Sequence, residues 1–94
     1  MTTQPKNQSE LALALRELAA ERPADRHALT ELEQRCVALA RYLGGSVQSD
    51  LDVPEFVWHF LADPDIRFKD PRYAEAQLAG LEAVLSGWDR SSAA

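Results

Sequence analysis

The sequence DRHALTELEQRCVALARYLGG (residues 25–45) carries the most regular apolar pattern in the chain. Its leucines and its cysteine recur at alternating intervals of three and four residues, at positions 29, 32, 36, 39 and 43. This spacing places them on one face of an α-helix. Asp25 can cap the start of that helix, and Gly44 and Gly45 predict its end, because glycine tolerates the left-handed conformation of many helix exits. We expect Cys36 to be a small buried side chain and not a reactive thiol.

A shorter helix is predicted before this one, over residues 9–21. Asn7 and Glu10 have the spacing of a capping box, and Ser9 is the alternative cap. Pro23 ends the helix because it has no amide proton to donate. The stripe that faces the core consists of Leu11, Ala14, Leu15 and Leu18. Leu13 lies nearly opposite this stripe, so we expect it to be exposed.

Two further helices are predicted in the second half of the chain. Asp52 caps a short aromatic helix that Pro64 ends. A connector over residues 63–70 follows, and Asp70 then caps a closing helix that ends near residues 86–87. No segment shows sustained alternation of apolar and polar residues, so no sheet is expected.

The expected fold is therefore all-α. It is a compact four-helix domain made of two long antiparallel helices, one short aromatic helix and one closing helix. We assign residues 1–8 to a loose arm, residues 9–88 to a single helical domain and residues 89–94 to a frayed tail.

The charge of the chain indicates which partners suit it. The 94 residues carry a formal net charge of −5. Residues 1–45 contain six acids and six bases, whereas residues 46–94 contain nine acids and four bases. An acidic surface repels phosphate backbones, which argues against nucleic acid and favours a basic protein as partner. The longest wholly apolar run, residues 11–15, is far too short to cross a bilayer, so we expect a cytoplasmic protein with no membrane partner.

No motif supports a cofactor, a metal or catalysis, and no segment shows the signature of a known family. The run DPDIRFKD (residues 63–70) begins like a calcium-binding loop, but Phe68 stands where the turn needs glycine and Ala74 where a bidentate glutamate should be. The two histidines lack zinc-ligand spacing. An enzyme or a ligand-binding bundle that uses His59 with Asp63 and Arg67 is the weakest of our three hypotheses.

Aromatic residues concentrate in one segment, because five of the seven lie between residues 56 and 73. Helical spacing assigns Phe56 and Phe60 to the core. It leaves a predicted partner-binding edge of aromatic and basic residues, which consists of Trp58, Arg67, Phe68, Arg72 and Tyr73. Aromatic residues and arginine are the types enriched at protein–protein hot spots.

We therefore expect a small, acidic, noncatalytic interaction module, such as an adaptor, an inhibitor or an immunity-type protein. The alternative is a structural homodimer that buries Leu13 and the aromatics of the third helix against a second copy.

Overall fold

The computed structural model describes the backbone of residues 4–45 and 51–93 and the side chains of residues 4–45 and 51–88. The described residues form five helices and no strand, which confirms the all-α class. The helices are α1 (Gln8–Ala20), α2 (Arg26–Leu43), α3 (Glu55–Ala62), α4 (Pro64–Lys69) and α5 (Pro71–Ala93).

The predicted caps of α1 and α2 are confirmed. The Asn7 side chain accepts a hydrogen bond from the Glu10 amide at 2.8 Å, and the Asp25 side chain accepts one from the Ala28 amide at 2.8 Å. Each bond satisfies an amide that the helix itself leaves without a partner. The end of α2 lies at Gly44 as predicted, but the predicted left-handed exit is wrong, since Gly44 has a φ of −78°.

Two side-chain contacts link the α1 segment to α2, whereas the more extensive packing of α1 is against α5 and that of α2 is against α3 and α4. The antiparallel arrangement of α1 and α2 stays a prediction. Near the start of α1 and the end of α2, the Tyr42 hydroxyl donates to the Pro5 carbonyl at 2.8 Å. Just past the other end of α1, the Arg35 guanidinium pairs with Glu21 at 2.8 Å. Pro5 is fully buried, so this part of the predicted arm packs against the domain. The division into arm, domain and tail otherwise stays a prediction, and residues 1–3 and 94 lie outside the described part of the chain.

The predicted count of four helices is matched only loosely, because residues 64–69 of the predicted connector form a further short helix, α4. Pro64 ends α3 as predicted, but its fixed φ also suits the first position of a new helix. The Arg67 amide donates to the Asp63 carbonyl at 3.1 Å, and the Asp70 amide donates to the Ile66 carbonyl at 2.9 Å. These two bonds make the segment one short turn of helix between two longer ones.

Two predicted helix boundaries also need correction. Asp52 does not cap α3, which begins at Glu55 after Pro54. Instead the Gln8 side chain holds the Asp52 backbone by accepting from its amide at 2.9 Å and donating to its carbonyl at 2.7 Å. Asp70 caps α5 as predicted, but α5 continues to Ala93, because no proline follows and its glycines keep ordinary helical φ angles.

The apolar stripes of α1 and α2 are buried together with one face of α3 and of α5. Leu13 is 53% exposed, as its position opposite the stripe predicts. Phe56 lies at the margin of the core and is only partly buried. The buried core consists of Leu11, Ala12, Ala14, Leu15, Leu18, Leu32, Cys36, Leu39, Leu43, Leu51, Val57, Phe60, Leu61, Leu81 and Leu85.

Candidate functional site

The five residues of the predicted partner-binding edge lie in three different settings. Trp58 is exposed on α3, and Arg72 is exposed in the first turn of α5. Arg67 and Phe68, on α4, are half-buried and line one cavity. Tyr73 is half-buried and hydrogen-bonded to Asp63. The edge is thus not one continuous surface of free side chains.

Trp58 belongs to the solvent-facing side of α3. Its side chain is 36% exposed, which is high for a residue of this size. The opposite side of the helix, formed by Val57, Phe60 and Leu61, is buried. The exposed residues of α3, which we call the α3 outer face, are Glu55, Trp58, His59 and Ala62.

An open groove lies between α3 and α5, beside the α3 outer face. It is lined by Phe56, His59, Tyr73, Ala76 and Gln77. Gly80 allows the two helices to approach here, since a Cβ atom at that position would lie 2.6 Å from the Phe56 ring. The outer face and the groove together give α3 two adjoining surfaces with aromatic side chains at their margins.

A polar cluster of Asp63, Arg67, Tyr73 and Gln77 joins α4 and α5 to the end of α3. One Asp63 carboxylate oxygen accepts from the Tyr73 hydroxyl at 2.5 Å and from the Gln77 amide at 3.1 Å. The Gln77 amide oxygen in turn accepts from Arg67 at 2.6 Å. The hydrogen bond to Asp63, followed by burial, raises the pKa of Tyr73. The cluster thus holds these side chains in one bonded arrangement.

Arg67 enters the interior from α4. Its Nη1 atom also donates to the Phe60 carbonyl at 2.7 Å, and its guanidinium carbon lies 4.2 Å from the centre of the Phe60 ring. This distance is typical of a cation–π contact. Burial lowers the pKa of Arg67, while the charge of Asp63 acts in the opposite direction. Both hydrogen-bond acceptors of Nη1 are neutral oxygens, so the charge of Arg67 is held mainly by dipoles and an aromatic face.

Cys36 lies where the α2 stripe meets Arg67. The thiol is fully buried, and that burial raises its pKa although the Arg67 charge lowers it. A buried thiol with a raised pKa is a poor nucleophile, which fits the predicted small core side chain. Arg67 Nη2 is itself buried, and no nitrogen or oxygen of the described residues accepts a hydrogen bond from it. Sulfur is a weak acceptor, so Cys36 does little to satisfy this atom.

A cavity of about 200 Å³, the Arg67 cavity, lies between the end of α1, α2, α4 and α5. Its apolar walls include Leu32, Pro64, Phe68, Ala74 and Leu78. Arg67 also lines it, and Glu21 and Arg22 line it from the segment that follows α1. Apolar walls with a few fixed polar groups are the usual composition of a small-ligand site.

The weakest sequence hypothesis needed His59 to act with Asp63 and Arg67. His59 instead lies 3.5 Å from Glu55, an ion pair that forms only when the imidazole is protonated. No hydrogen bond or ion pair joins His59 to Asp63 or Arg67 in the described ranges. Within the same ranges, no group of three or more histidine, cysteine, aspartate or glutamate side chains is arranged to hold a metal ion.

Sequence reasoning missed Gln77 and the cavity. One signal for Gln77 was present, because this polar residue stands on the otherwise apolar face of α5 together with Leu78, Leu81 and Leu85. A buried amide needs partners, which predicts a polar cluster although not its members. The cavity had no local signal, since its walls come from four separate helices.

Comparison of the chain with protein-family models, curated proteins and solved structures yields no match. Within the described ranges, the chain has no helix of the length and apolar character that a bilayer span requires.

Proposed function

We propose that the protein is a noncatalytic interaction module that binds a more basic protein through the α3 outer face and the adjoining groove. The observation that carries this proposal is the 36% exposure of Trp58 on a helix whose other large apolar residues are wholly or partly buried. An exposed tryptophan contributes nothing further to the core, whereas tryptophan is among the commonest hot-spot residues of protein interfaces.

The groove supports the proposal because it gives a partner side chain a place to insert. Phe56 and Tyr73 line it, together with the exposed residues His59 and Ala76. Hot-spot residues pack best in such pockets, where neighbouring contacts exclude water. Of the other residues of the predicted edge, Arg72 is exposed and free to reach a partner's surface.

The charge around the α3 outer face favours a basic partner. Asp52 and Glu55 lie at the start of α3, and Glu75 lies on α5 near the groove. All three are exposed, and Arg72, which is also exposed, lies three residues before Glu75. Such a surface speeds encounter with a positively charged protein and slows encounter with an acidic one. A cytoplasmic location remains part of the proposal.

A binding experiment with two matched variants tests this function. The tagged protein captures its partner from a lysate of the source cells, and titration calorimetry then measures affinity for the purified partner. We expect Trp58→Ala to weaken binding at least about tenfold, in the range of a hot-spot residue. Val37→Ala is the control, because Val37 is also a large apolar side chain, 47% exposed, but lies on α2.

Circular dichroism must show both variants to be as helical as the parent protein. Raising the salt concentration should slow association, because electrostatic steering is screened. Equal affinity of Trp58→Ala and the parent protein would exclude the α3 outer face as the interface. A loss of affinity in Val37→Ala alone would move the interface to α2.

A structural homodimer is the second candidate, favoured by the 53% exposure of Leu13 together with that of Trp58. Light scattering at micromolar concentration separates the two candidates. A mass near 10.5 kDa excludes a stable dimer, and twice that mass supports it.

A further inference from the structure

The groove between α3 and α5 is large enough for an aromatic side chain. Its volume is about 370 Å³, whereas an engineered protein cavity of roughly 150 Å³ already holds a benzene molecule. Phe56 on α3 and Tyr73 on α5 bring their rings to its wall, together with the imidazole of His59. Aromatic rings attract one another in offset and edge-to-face arrangements. The wall of the groove is therefore suited to a further ring.

The two residues of α5 that could make the groove polar have their hydrogen-bonding atoms engaged in the polar cluster. The Tyr73 hydroxyl donates to Asp63 at 2.5 Å and accepts from the Gln77 amide at 3.2 Å. The Gln77 amide also donates to the same Asp63 oxygen at 3.1 Å, and its own oxygen accepts from Arg67 at 2.6 Å. The accessible surface of the groove is accordingly mainly apolar. A charged side chain would lose its hydration there without gaining a partner from α5, so the occupant is an apolar group.

Small residues of α5 make room for the groove. At Gly80 a Cβ atom would lie 2.6 Å from the Phe56 ring, so a larger residue there would displace the ring. Ala76 is exposed and lines the groove itself. Position 76 is thus the place where a larger side chain would occupy the volume of the groove.

An exposed carboxylate lies at the margin of the groove. The Glu55 side chain is 87% exposed, and its Oε1 atom lies 3.5 Å from Nε2 of His59, which lines the groove. This ion pair forms only when the imidazole is protonated. No other cation of the described residues lies within ion-pair distance of Glu55. A positive charge beside a ring in the groove would therefore be attracted to this carboxylate.

We infer that the groove binds an aromatic side chain of the partner, and that a basic residue next to this aromatic residue pairs with Glu55. The inference rests on the interaction proposed above, because it names the part of the basic partner that enters the groove. The aromatic ring supplies the buried contact, and the basic neighbour complements the acidic margin.

Three short peptides serve as probes: acetyl-Phe-Arg-amide, acetyl-Phe-citrulline-amide and acetyl-Ser-Arg-amide. Citrulline has nearly the shape of arginine but no charge, and serine removes the ring. Each peptide is titrated into the ¹⁵N-labelled full chain and followed by two-dimensional NMR. We expect saturable shifts with the phenylalanine–arginine peptide at the amides of His59, Ala76 and Gln77. The citrulline peptide should bind about two- to fivefold more weakly, as the loss of an exposed ion pair predicts. The serine peptide should bind at least about tenfold more weakly, because it buries no ring.

Two pairs of matched variants test the location. Ala76→Leu fills the groove and should weaken binding of the phenylalanine–arginine peptide at least about tenfold. Ala79→Leu is its control, because Ala79 is an exposed alanine of the same helix outside the groove wall, and its affinity should stay within about twofold of the parent. Glu55→Gln should bind the arginine and citrulline peptides equally well. Glu31→Gln is its control and should keep the preference for arginine, because Glu31 forms the same kind of pair with His27, at 3.3 Å, but lies on α2.

The inference is overturned if the phenylalanine–arginine peptide gives no saturable shift, or if its shifts lie outside the groove. It is also overturned if the citrulline or serine peptide binds as tightly, or if Ala76→Leu binds as well as Ala79→Leu does. The interaction proposed above is decided separately, by the affinity of Trp58→Ala for the partner protein. If Trp58→Ala loses that affinity and Ala76→Leu keeps it, the α3 outer face is the interface and only the inference about the groove fails.

Discussion

Two regions hold the protein together in different ways. One is the leucine seam, which we define as the apolar stripes of α1 and α2 that are buried in one core with faces of α3 and α5. The other is the polar cluster of Asp63, Arg67, Tyr73 and Gln77. The seam is built from leucines that repeat along each helix and are almost completely excluded from solvent. The cluster is built from four polar side chains of the α3–α4 junction, α4 and α5, which hydrogen-bond to one another although Arg67 Nη2 has no acceptor among them. Apolar contacts tolerate small displacements, whereas a buried polar group without its partner is costly. The seam therefore supplies most of the stability, and the cluster fixes how α4 and α5 meet the end of α3.

A substitution in the leucine seam should cause the largest loss of stability. Leu15 is fully buried and Leu13 is 53% exposed, although both are leucines on α1. Leu15→Ala should lower the free energy of unfolding by about 3 kcal/mol, since it removes buried methyl groups and leaves a cavity. Leu13→Ala should change it by about 0.5 kcal/mol or less. Urea denaturation followed by circular dichroism measures both.

Equal losses in these two variants would mean that α1 does not bury the face assigned to it. A loss at Leu13 close to that at Leu15, present only at high protein concentration, would instead indicate that Leu13 is covered by a second copy.

A substitution in the polar cluster should have an intermediate effect on stability. Gln77 is 7% exposed, and its amide links Asp63 to Arg67. Gln77→Leu keeps the apolar volume but leaves each of these charged groups one partner short, which should cost about 2 kcal/mol. Gln34→Leu on the exposed face of α2 is the matched control and should change the free energy of unfolding by about 0.5 kcal/mol or less.

If Gln77→Leu is as stable as the parent protein, the cluster contributes no stability and the comparison with the seam fails. A value near that of Leu15→Ala would make the two regions equal contributors.

The same contrast explains what could be predicted from the sequence. The seam could be predicted because helical periodicity is a local property of the sequence. In α2 an apolar residue recurs every three or four positions, at Leu29, Leu32, Cys36, Leu39 and Leu43. Caps such as Asp25 and Asp70 were predictable for the same reason. The sequence of residues 64–69 indicates a connector because it contains three charged residues and is flanked by two aspartate–proline steps, and both features are also common in loops.

The candidate sites could be predicted only in part. Trp58 was correctly placed at the edge of the α3 stripe, because a helical wheel suffices for that. The environment of Arg67 was not predictable, since it depends on Phe60 and Gln77, which lie seven and ten residues away. Contacts of this kind depend on how helices pack, and a single sequence carries no direct signal of that packing.

The smallest expected effect is on the pH dependence of stability. It concerns residues that lie where the leucine seam and the polar cluster meet. Burial raises the pKa of the Cys36 thiol, and the hydrogen bond to Asp63 raises the pKa of Tyr73. Both groups are neutral when protonated, so their contributions are complete below the unfolded pKa values of about 8.5 and 10. The contributions are lost as the pH rises through the raised folded values, because the unfolded chain releases its protons first. Stability should therefore fall as the pH rises above about 8.5, the lower of the two unfolded values.

One tyrosine substitution in each region tests whether Tyr73 causes this pH dependence of stability. Tyr73→Phe should reduce the fall in the urea midpoint between about pH 8 and pH 11, because it removes the phenol that donates to a carboxylate. Tyr42→Phe is the control, because the Tyr42 hydroxyl donates to the neutral Pro5 carbonyl in the seam. An equal slope in both variants would mean that the Asp63 charge does not act on Tyr73. If only Cys36→Ala reduces the slope, the loss of stability at high pH comes from the buried thiol beside Arg67. The pH dependence would then arise where the leucine stripe of α2 meets the cluster.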